Sequence, residues 1–395
     1  MDLFAKCLQF YPLVDTAKKN GYYPYFIPLN SEPDRRVVID GRELIMLGSN
    51  NYLGLTTHPK VKEAALDAIR KYGTGCTGSR FMNGTLDLHV RLEAELARFY
   101  RREDCLVFST GYQTSLGVVS ALVRKGDVVV ADKLDHASIM DGCRMSFGTV
   151  KRFLHNDPAS LEKTLSGIGR ETGKLIVVDG VFSVEGDLAP LDHIMTSARR
   201  HRARVMVDDA HAVGVVGRHG RGTAEQFGVE DRIDLIMGTF SKSFATIGGY
   251  VVGDHKVITF IRHNARPMLF SAAIPPTAAA TVLAALEIIR TEPERRARLW
   301  KIAHRMIDGL RSMGYDIGKT VTPIIPIHIG EQMKTLLFWR QLYDAGIFAN
   351  AFVPPGVPPN RSCIRTSYMA THTDEDLDEA LEIFERVGRK TGTIP

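Results

Sequence analysis

Nothing in this sequence points to disulfides, a zinc centre or a membrane span. The five cysteines, Cys7, Cys76, Cys105, Cys143 and Cys363, are scattered, odd in number and free of any CxxC pair. Neither a disulfide framework nor a metal site is therefore indicated. No run reaches the roughly 18 apolar residues that a spanning helix needs, and the longest candidate, Thr277 to Ile289, is broken by Glu287. No stretch reads as a secretory leader, so a reducing cytoplasm is the expected location. Charge of one sign is also scarce. The 50 basic and 45 acidic residues leave a formal +5, which favours an anionic substrate mildly and is no nucleic-acid footprint. The tightest basic cluster, Arg199-Arg200-His201-Arg202 with Arg204, reads as the solvated end of a helix, where cations suit the dipole. Internal repeats are absent.

What is present is a globular composition, 44% hydrophobic and 24% charged, over 395 residues. That length is too great for one ordinary core. The sequence divides into an amino-terminal arm (residues 1–45), a large domain (46–290) and a smaller carboxy-terminal α+β domain (291–395). The arm carries Tyr22, Tyr23, Tyr25 and Phe26 and looks built to pack on something else. His58 to Tyr72 and Leu86 to Tyr100 show helical spacing. Short apolar runs then recur at Leu106–Phe108, Val128–Val130, Leu175–Val178, Val205–Val207 and Leu235–Met237, each followed by a helical stretch. Such runs are strands buried on both faces of a mostly parallel sheet. In the small domain, Pro293 to Met313 and Met333 to Ala345 read as helices and Pro323 to Ile329 as a strand. Thr373 with Asp376 offers a capping pair for a last helix.

Parallel sheets bind ligands beyond the carboxyl ends of their strands. Polar groups follow each run there: Ser109-Thr110-Gly111, Asp132, Asp179-Gly180, Asp208-Asp209-Ala210-His211 and Thr239-Phe240-Ser241-Lys242. A glycine-rich stretch, Gly73-Thr-Gly75-Cys-Thr-Gly78, matches the letters of a dinucleotide fingerprint. It follows a helix and opens no other, so the physical basis of that fingerprint is missing. Asp208 sits just past an apolar strand, where a lone carboxylate is costly to bury; a cationic ring nitrogen would remove that cost, and so would a cap on the next helix. Lys242 stands among the hydroxyls of Thr239, Ser241 and Ser243, which suit a phosphate, and just before Gly248-Gly249. These groups in this order match what pyridoxal 5′-phosphate (PLP) chemistry requires.

At Asp208-Asp-Ala-His211 and Thr239-Phe-Ser-Lys242 the sequence resembles the α-oxoamine synthases, a branch of the fold-type I PLP enzymes. The resemblance runs from Ser49-Asn50-Asn51-Tyr52-Leu53-Gly54 to Thr371-His372-Thr373. It implies an aspartate aminotransferase-like fold, a PLP cofactor held as an aldimine on Lys242, and a homodimer. It also assigns roles by position. Asp208 would hold the ring nitrogen, Ser183 and His211 the ring oxygen, and His136 would stack on the ring, although a satisfied core histidine looks the same. Gly111, Tyr112 and Thr239 would form the phosphate side. Asn50 and Arg365 would orient the substrate carboxylate, with a strand-edge surface charge as the plain alternative for Arg365. Lys242 would shuttle the α-proton.

Within that family the segments Gly78 to His89, His263-Asn-Ala-Arg266 and Ser241 before the lysine resemble the bacterial serine palmitoyltransferases. The branch implies condensation of L-serine with a long-chain acyl-CoA such as palmitoyl-CoA. The products would be 3-ketosphinganine, CoA and carbon dioxide, and the lipid product offers a route to peripheral membrane association. One departure is Ser271-Ala272-Ala273, where many members carry Thr-Thr-Ser; only Ser271 matches a phosphate contact from a partner subunit. Alternatives are an 8-amino-7-oxononanoate synthase or 2-amino-3-ketobutyrate CoA ligase activity. Further off stand a silent binding subunit, against which Lys242 speaks, and a PLP transaminase.

Overall fold

A computed structural model describes residues 2–395, which divide into two compact units. The second unit, Asn50–Ser183 and Asp187–Arg298, holds the large sheet; the first gathers the chain up to Ser49, Val184–Gly186 and Leu299–Pro395.

The first unit begins with an exposed helix, Ala5–Lys19, which contains Pro12 and buries none of its residues. A hairpin follows, of β1 (Arg36–Ile39) and β2 (Arg42–Met46), turned by Asp40 and Gly41 at positive φ.

The second unit contains β3 (Asp104–Phe108), β4 (Val128–Asp132), β5 (Thr149–Phe153), β6 (Lys174–Asp179), β7 (Arg204–Asp208), β8 (Leu235–Thr239) and β9 (Gly249–Gly253). They form one sheet in the order β3-β9-β8-β7-β6-β4-β5. Only β9 runs against its neighbours. All five expected strand runs lie inside β3, β4, β6, β7 and β8. Every residue of β4, β6, β8 and β9 is buried, because helices cover both faces. Val118, Val119, Ile139, Val177, Met206, Met237, Val251 and Ile261 form the core on one side. At roughly 25 cal/mol per Å² of apolar surface removed from water, such side chains fix which edge of each strand is free. The carboxyl edge is thereby left to Asp132, Asp179, Asp208 and Thr239.

Returning to the first unit, β10 (Ile324–Gly330), β12 (Asn350–Phe352) and β13 (Ser362–Ser367) form a sheet with β13 in the middle. The short β11 (Ile347–Phe348) pairs in parallel with β2. Val37, Ile39, Leu44, Met46 and Met369 pack together beneath it. The expected capping pair is present: Thr373 Oγ1 accepts from the Asp376 N–H at 3.2 Å, and Asp376 Oδ2 accepts from the Thr373 N–H at 3.0 Å, opening the helix Asp374–Thr391. The unit boundaries differ from those expected at 45/46 and 290/291. Residues 36–46 are strands rather than arm, since the edge of β2 is satisfied by chain 300 residues later, and the second boundary falls inside the helix Pro293–Ser312.

Candidate active site

Strand β7 delivers Asp208 to the carboxyl edge with only 4% of its surface exposed. Its carboxylate accepts from the Ala210 N–H at 3.0 Å and from Ser115 Oγ at 3.2 Å. Burial pushes this carboxyl above the usual range, while the charges of His136 and Lys242 pull it back. Asp208, His136 and Lys242 therefore occupy one electrostatic site, although they come from the ends of three different strands.

His136 follows β4 and caps the helix Ala137–Met145. Its Nδ1 accepts from the Ser138 N–H at 3.2 Å and lies 2.8 Å from Ser138 Oγ. Its own N–H donates to Asp179 Oδ2 at 2.9 Å, which ties the turn to the end of β6. Although part of the residue is open to solvent, burial of the imidazole lowers its pKa, Asp208 opposing and Lys242 reinforcing. The neutral ring is the favoured form at neutral pH. Asp135 locks the same corner by accepting from the N–H groups of Asp132 and Asp179, at 2.8 and 2.9 Å. Burial raises both Asp135 and Asp179 well above the usual carboxyl range.

His211, three residues past Asp208, is half-buried. Its Nδ1 lies 2.6 Å from the hydroxyl of Tyr52, and that hydroxyl also donates to Asn50 Oδ1 at 3.3 Å. Tyr52 links two expected site residues and was not singled out from the sequence. Its signal was there, in the quoted Ser49–Gly54 segment, but no residue type in that segment announces a bridging role. Ser115 was missed for the same reason, being one hydroxyl on a helix of small residues. Ser183 lies beyond the end of β6, half-buried.

The phosphate side is built from the helix Gly111–Leu122. Thr110 is its N-cap, accepting from the Gln113 N–H at 3.1 Å. The first N–H groups of a helix have no partner within it and favour anions, and here they belong to Gly111 and Tyr112. A Cβ on Gly111 would stand 2.6 Å from Thr239 Oγ1, so only glycine fits where the helix start meets the end of β8. Thr239 Oγ1 in turn donates to Gly248 O at 3.0 Å and lies 2.9 Å from Ser241 Oγ. Tyr112 contributes through its backbone, because its phenol is engaged by Asp141. Ser271 accepts from Gln113 Nε2 at 3.0 Å within the same chain. Next to Lys242, the buried Ser243 Oγ has no partner among the described residues, and neither does the Gln113 amide oxygen.

These observations test whether PLP fits. A buried carboxyl lacking a full counter-charge suits a protonated ring nitrogen, and a helix start with two free N–H groups beside Thr239 and Ser241 suits a phosphate. Lys242 directly follows Ser241 in the sequence and shares the field of Asp208. The residues present fit the group.

Arg365 lies in the other unit, at the centre of β13, and only 2% of it is exposed. A strand-edge surface charge is therefore ruled out. Its Nη1 donates to Ser367 Oγ at 3.4 Å, and that hydroxyl donates to Ser49 O at 2.6 Å. The Gly73–Gly78 stretch also behaves as its context predicts. Gly73 ends the helix Pro59–Tyr72 at φ +79°, no strand precedes it, and a Cβ on Gly84 would strike Gly78 O at 2.1 Å. The loop closes on itself.

Comparison with known proteins gives a consistent result. The family model described as aminotransferase class I and II matches residues 42–384. The serine palmitoyltransferase of Sphingobacterium spiritivorum is 48% identical over 95% of this chain and 94% of its own length. The 8-amino-7-oxononanoate synthase of Thermoanaerobacter pseudethanolicus is 44% identical over 96% of this chain and 97% of its own. A solved structure of the serine palmitoyltransferase of S. paucimobilis, with a bound PLP–myriocin aldimine, superposes with a TM-score of 0.97 at 36% identity, covering 100% of both chains.

Proposed function

This chain belongs to the aminotransferase class I and II family, and on that premise we propose that it is a PLP-dependent acyltransferase of the serine palmitoyltransferase type. It condenses L-serine with palmitoyl-CoA to give 3-ketosphinganine, CoA and carbon dioxide. The observation that carries the reading is the single field shared by Asp208, His136 and Lys242 beside a helix start with free N–H groups.

Bound there, PLP supplies an electron sink that makes the α-proton of an amino acid labile. Asp208 keeps its negative charge against the ring nitrogen, because an opposite charge nearby favours the ionised state. The N–H groups of Gly111 and Tyr112, with Thr239 and Ser241, hold the phosphate. His211, fixed by Tyr52, and Ser183 would hold the ring oxygen, and neutral His136 would cover the ring face. The family resemblance assigns the substrate carboxylate to Asn50 and Arg365, a task that suits a planar guanidinium. The Nζ of Lys242 removes the α-proton of serine and later returns a proton to the same carbon. Between those events the Cα–C bond to the acyl carbonyl forms, the thioester C–S bond breaks with CoA leaving as thiolate, and the carboxylate departs as carbon dioxide.

The working unit is a homodimer. The helix Ala5–Lys19 leaves Leu8, Phe10, Tyr11 and Leu13 each more than 60% exposed, and Phe81 and Met82 protrude from the glycine-rich loop. A second copy of the chain would cover such side chains. Ser271, matching a contact made across subunits, serves the same phosphate. Among the described residues no helix is long and apolar enough to cross a membrane; a cytoplasmic location, with peripheral membrane contact through the lipid product, is part of this proposal.

Release of CoA from acyl-CoAs of graded length, with serine, alanine and glycine in turn, followed by product mass, tests the assignment. A site that hydrogen-bonds the serine hydroxyl should reject alanine by up to about 10⁴-fold. Each methylene removed from the acyl chain should cost about 0.8 kcal/mol. The 8-amino-7-oxononanoate synthase relative makes alanine with pimeloyl-CoA the second reading. A preference for that pair would overturn the sphingolipid assignment and leave the reaction class standing.

A further inference from the structure

Away from the site just described, near the start of β3, lies a cavity of about 490 Å³ lined by Arg98, Arg101, Arg218, Arg221, Arg290 and Arg296. His219 joins them, Phe99 forms an aromatic wall with the Arg290 guanidinium 5.7 Å from its ring centre, and no carboxylate lines the space. Arg98 and Arg290 share Glu95, and Arg221 pairs with Glu225 and Glu230. Six guanidiniums thus face three nearby carboxylates, a surplus of three positive charges. Among the described residues no carboxylate lies within 4 Å of Arg101, Arg218 or Arg296.

Arg296 is the informative member. Only 8% of it is exposed, and its one hydrogen bond goes to the backbone carbonyl of Arg218. Burial lowers the basicity of its guanidinium, with only the more distant Glu225 acting the other way. A buried charge without a counter-ion is costly and ordinarily finds a partner. The catalytic proposal gives it none, since no residue assigned to that site lines the cavity.

We propose that this cavity is a second anion site that binds a phosphate-bearing group of at least two negative charges. Guanidinium forks match phosphate oxygens two at a time, and the volume falls in the range of small-molecule pockets, roughly 300–1,000 Å³. Arg296 is the fixed base of the site, and Arg218 and Arg101 close on the ligand from the surface. The phosphate can belong to a free polyphosphate anion or to an anionic lipid headgroup; both present the same chemistry.

The test uses the PLP-saturated enzyme, so that the cofactor's phosphate site is filled. Calorimetric titration with inorganic pyrophosphate at low ionic strength should show one saturable site per chain that weakens as salt is added. The Arg101→Ala/Arg218→Ala double variant alters exposed residues only; it should weaken binding at least tenfold and leave turnover unchanged. Arg296→Met should abolish binding. In parallel, the enzyme is sedimented with phosphatidylcholine vesicles with and without phosphatidylglycerol. Retention on the anionic vesicles alone, lost in the variants and with no pyrophosphate heat, places the phosphate on a lipid. Absence of both kinds of binding, or binding undiminished in both variants, overturns the proposal.

Discussion

Two histidine–carboxylate clusters stand at the carboxyl edge of the same sheet, and they behave in opposite ways. His155 lies between Asp132 and Asp187, with Nδ1 3.1 Å from one and Nε2 3.0 Å from the other. Burial works against its charge, yet the two hydrogen-bonded carboxylates win and push its pKa up to about 10. One imidazolium is thus hydrogen-bonded to two carboxylates: the cluster ties β4 to the loop after β6, with Asn156 adding a bond to Asp187 at 3.0 Å. Along the same edge, the His136 ring has no carboxylate within hydrogen-bonding reach among the described residues. Its pKa is lowered, and Asp208 is raised. Where a charge is hydrogen-bonded to its counter-ions, the group is scaffold; where a buried carboxyl feels its counter-charge only through the field, the strand end is arranged for a charged ligand. Perturbed carboxyls beside a strained field are where function concentrates.

That contrast can be broken by substitution. The largest effect belongs to Lys242→Ala, which should lower turnover by at least about 10³-fold, the scale of a lost positioned base, and leave the unfolding midpoint nearly unchanged. A variant that still turned over at a comparable rate would remove Lys242 from the reaction. Asp208→Asn comes next. Each unit of lost preference for the protonated ring is worth about 1.4 kcal/mol, so a loss of two to three units predicts about 10²- to 10³-fold slower turnover with cofactor still bound. Absorbance of bound PLP and CoA release, measured together, check both halves.

The scaffold cluster should respond in the other currency. His155→Gln leaves two carboxylates without their cation and should cost about 3 kcal/mol of stability, read from the denaturant midpoint, with turnover per folded molecule little changed. Its pH dependence has a definite direction. The folded pKa of about 10 stands above the ordinary 6.5, so the stabilisation is complete below pH 6.5 and is lost as pH rises toward 10. That slope should vanish in the variant. Smallest of all is Asp209→Asn. Asp209 is the buried neighbour of Asp208, but its carboxylate accepts from the Thr223 N–H at 3.0 Å and hydroxyl at 2.5 Å, tying down a loop. Turnover should stay within about tenfold, the range expected for a residue that acts on packing alone; a loss as large as that of Asp208→Asn would mean that the two carboxyls exchange roles.

The sequence made some of this legible and concealed the rest for physical reasons. Strands β3, β4, β6, β7 and β8 declare themselves because burial on both faces leaves unbroken apolar runs, and the polar residues after them mark the site. Strand β9, Gly-Tyr-Val-Val-Gly, is bracketed by glycines and is a strand because β3 and β8 flank it. Strand β5 is a polar edge. The hairpin β1–β2 belongs with residues 299–395 through a pairing to Ile347 and Phe348 that no local pattern encodes. The His155 cluster draws on positions 132, 155 and 187, and Tyr52 reaches His211 across 159 positions. Lys242, Asp208, His136 and Gly111 could be picked out because each lies at or within four residues of the carboxyl end of its strand. Residues that merely hold them could not.

The central claim, that Lys242 is the attachment point of PLP within this field, has one direct measurement. The enzyme is loaded with PLP, reduced with borohydride, digested and mapped by mass spectrometry. The account predicts a pyridoxyl adduct on Lys242, formed in full with one equivalent per chain and absent from Lys242→Ala. An adduct on another lysine, or stoichiometric adduct persisting in Lys242→Ala, would contradict it.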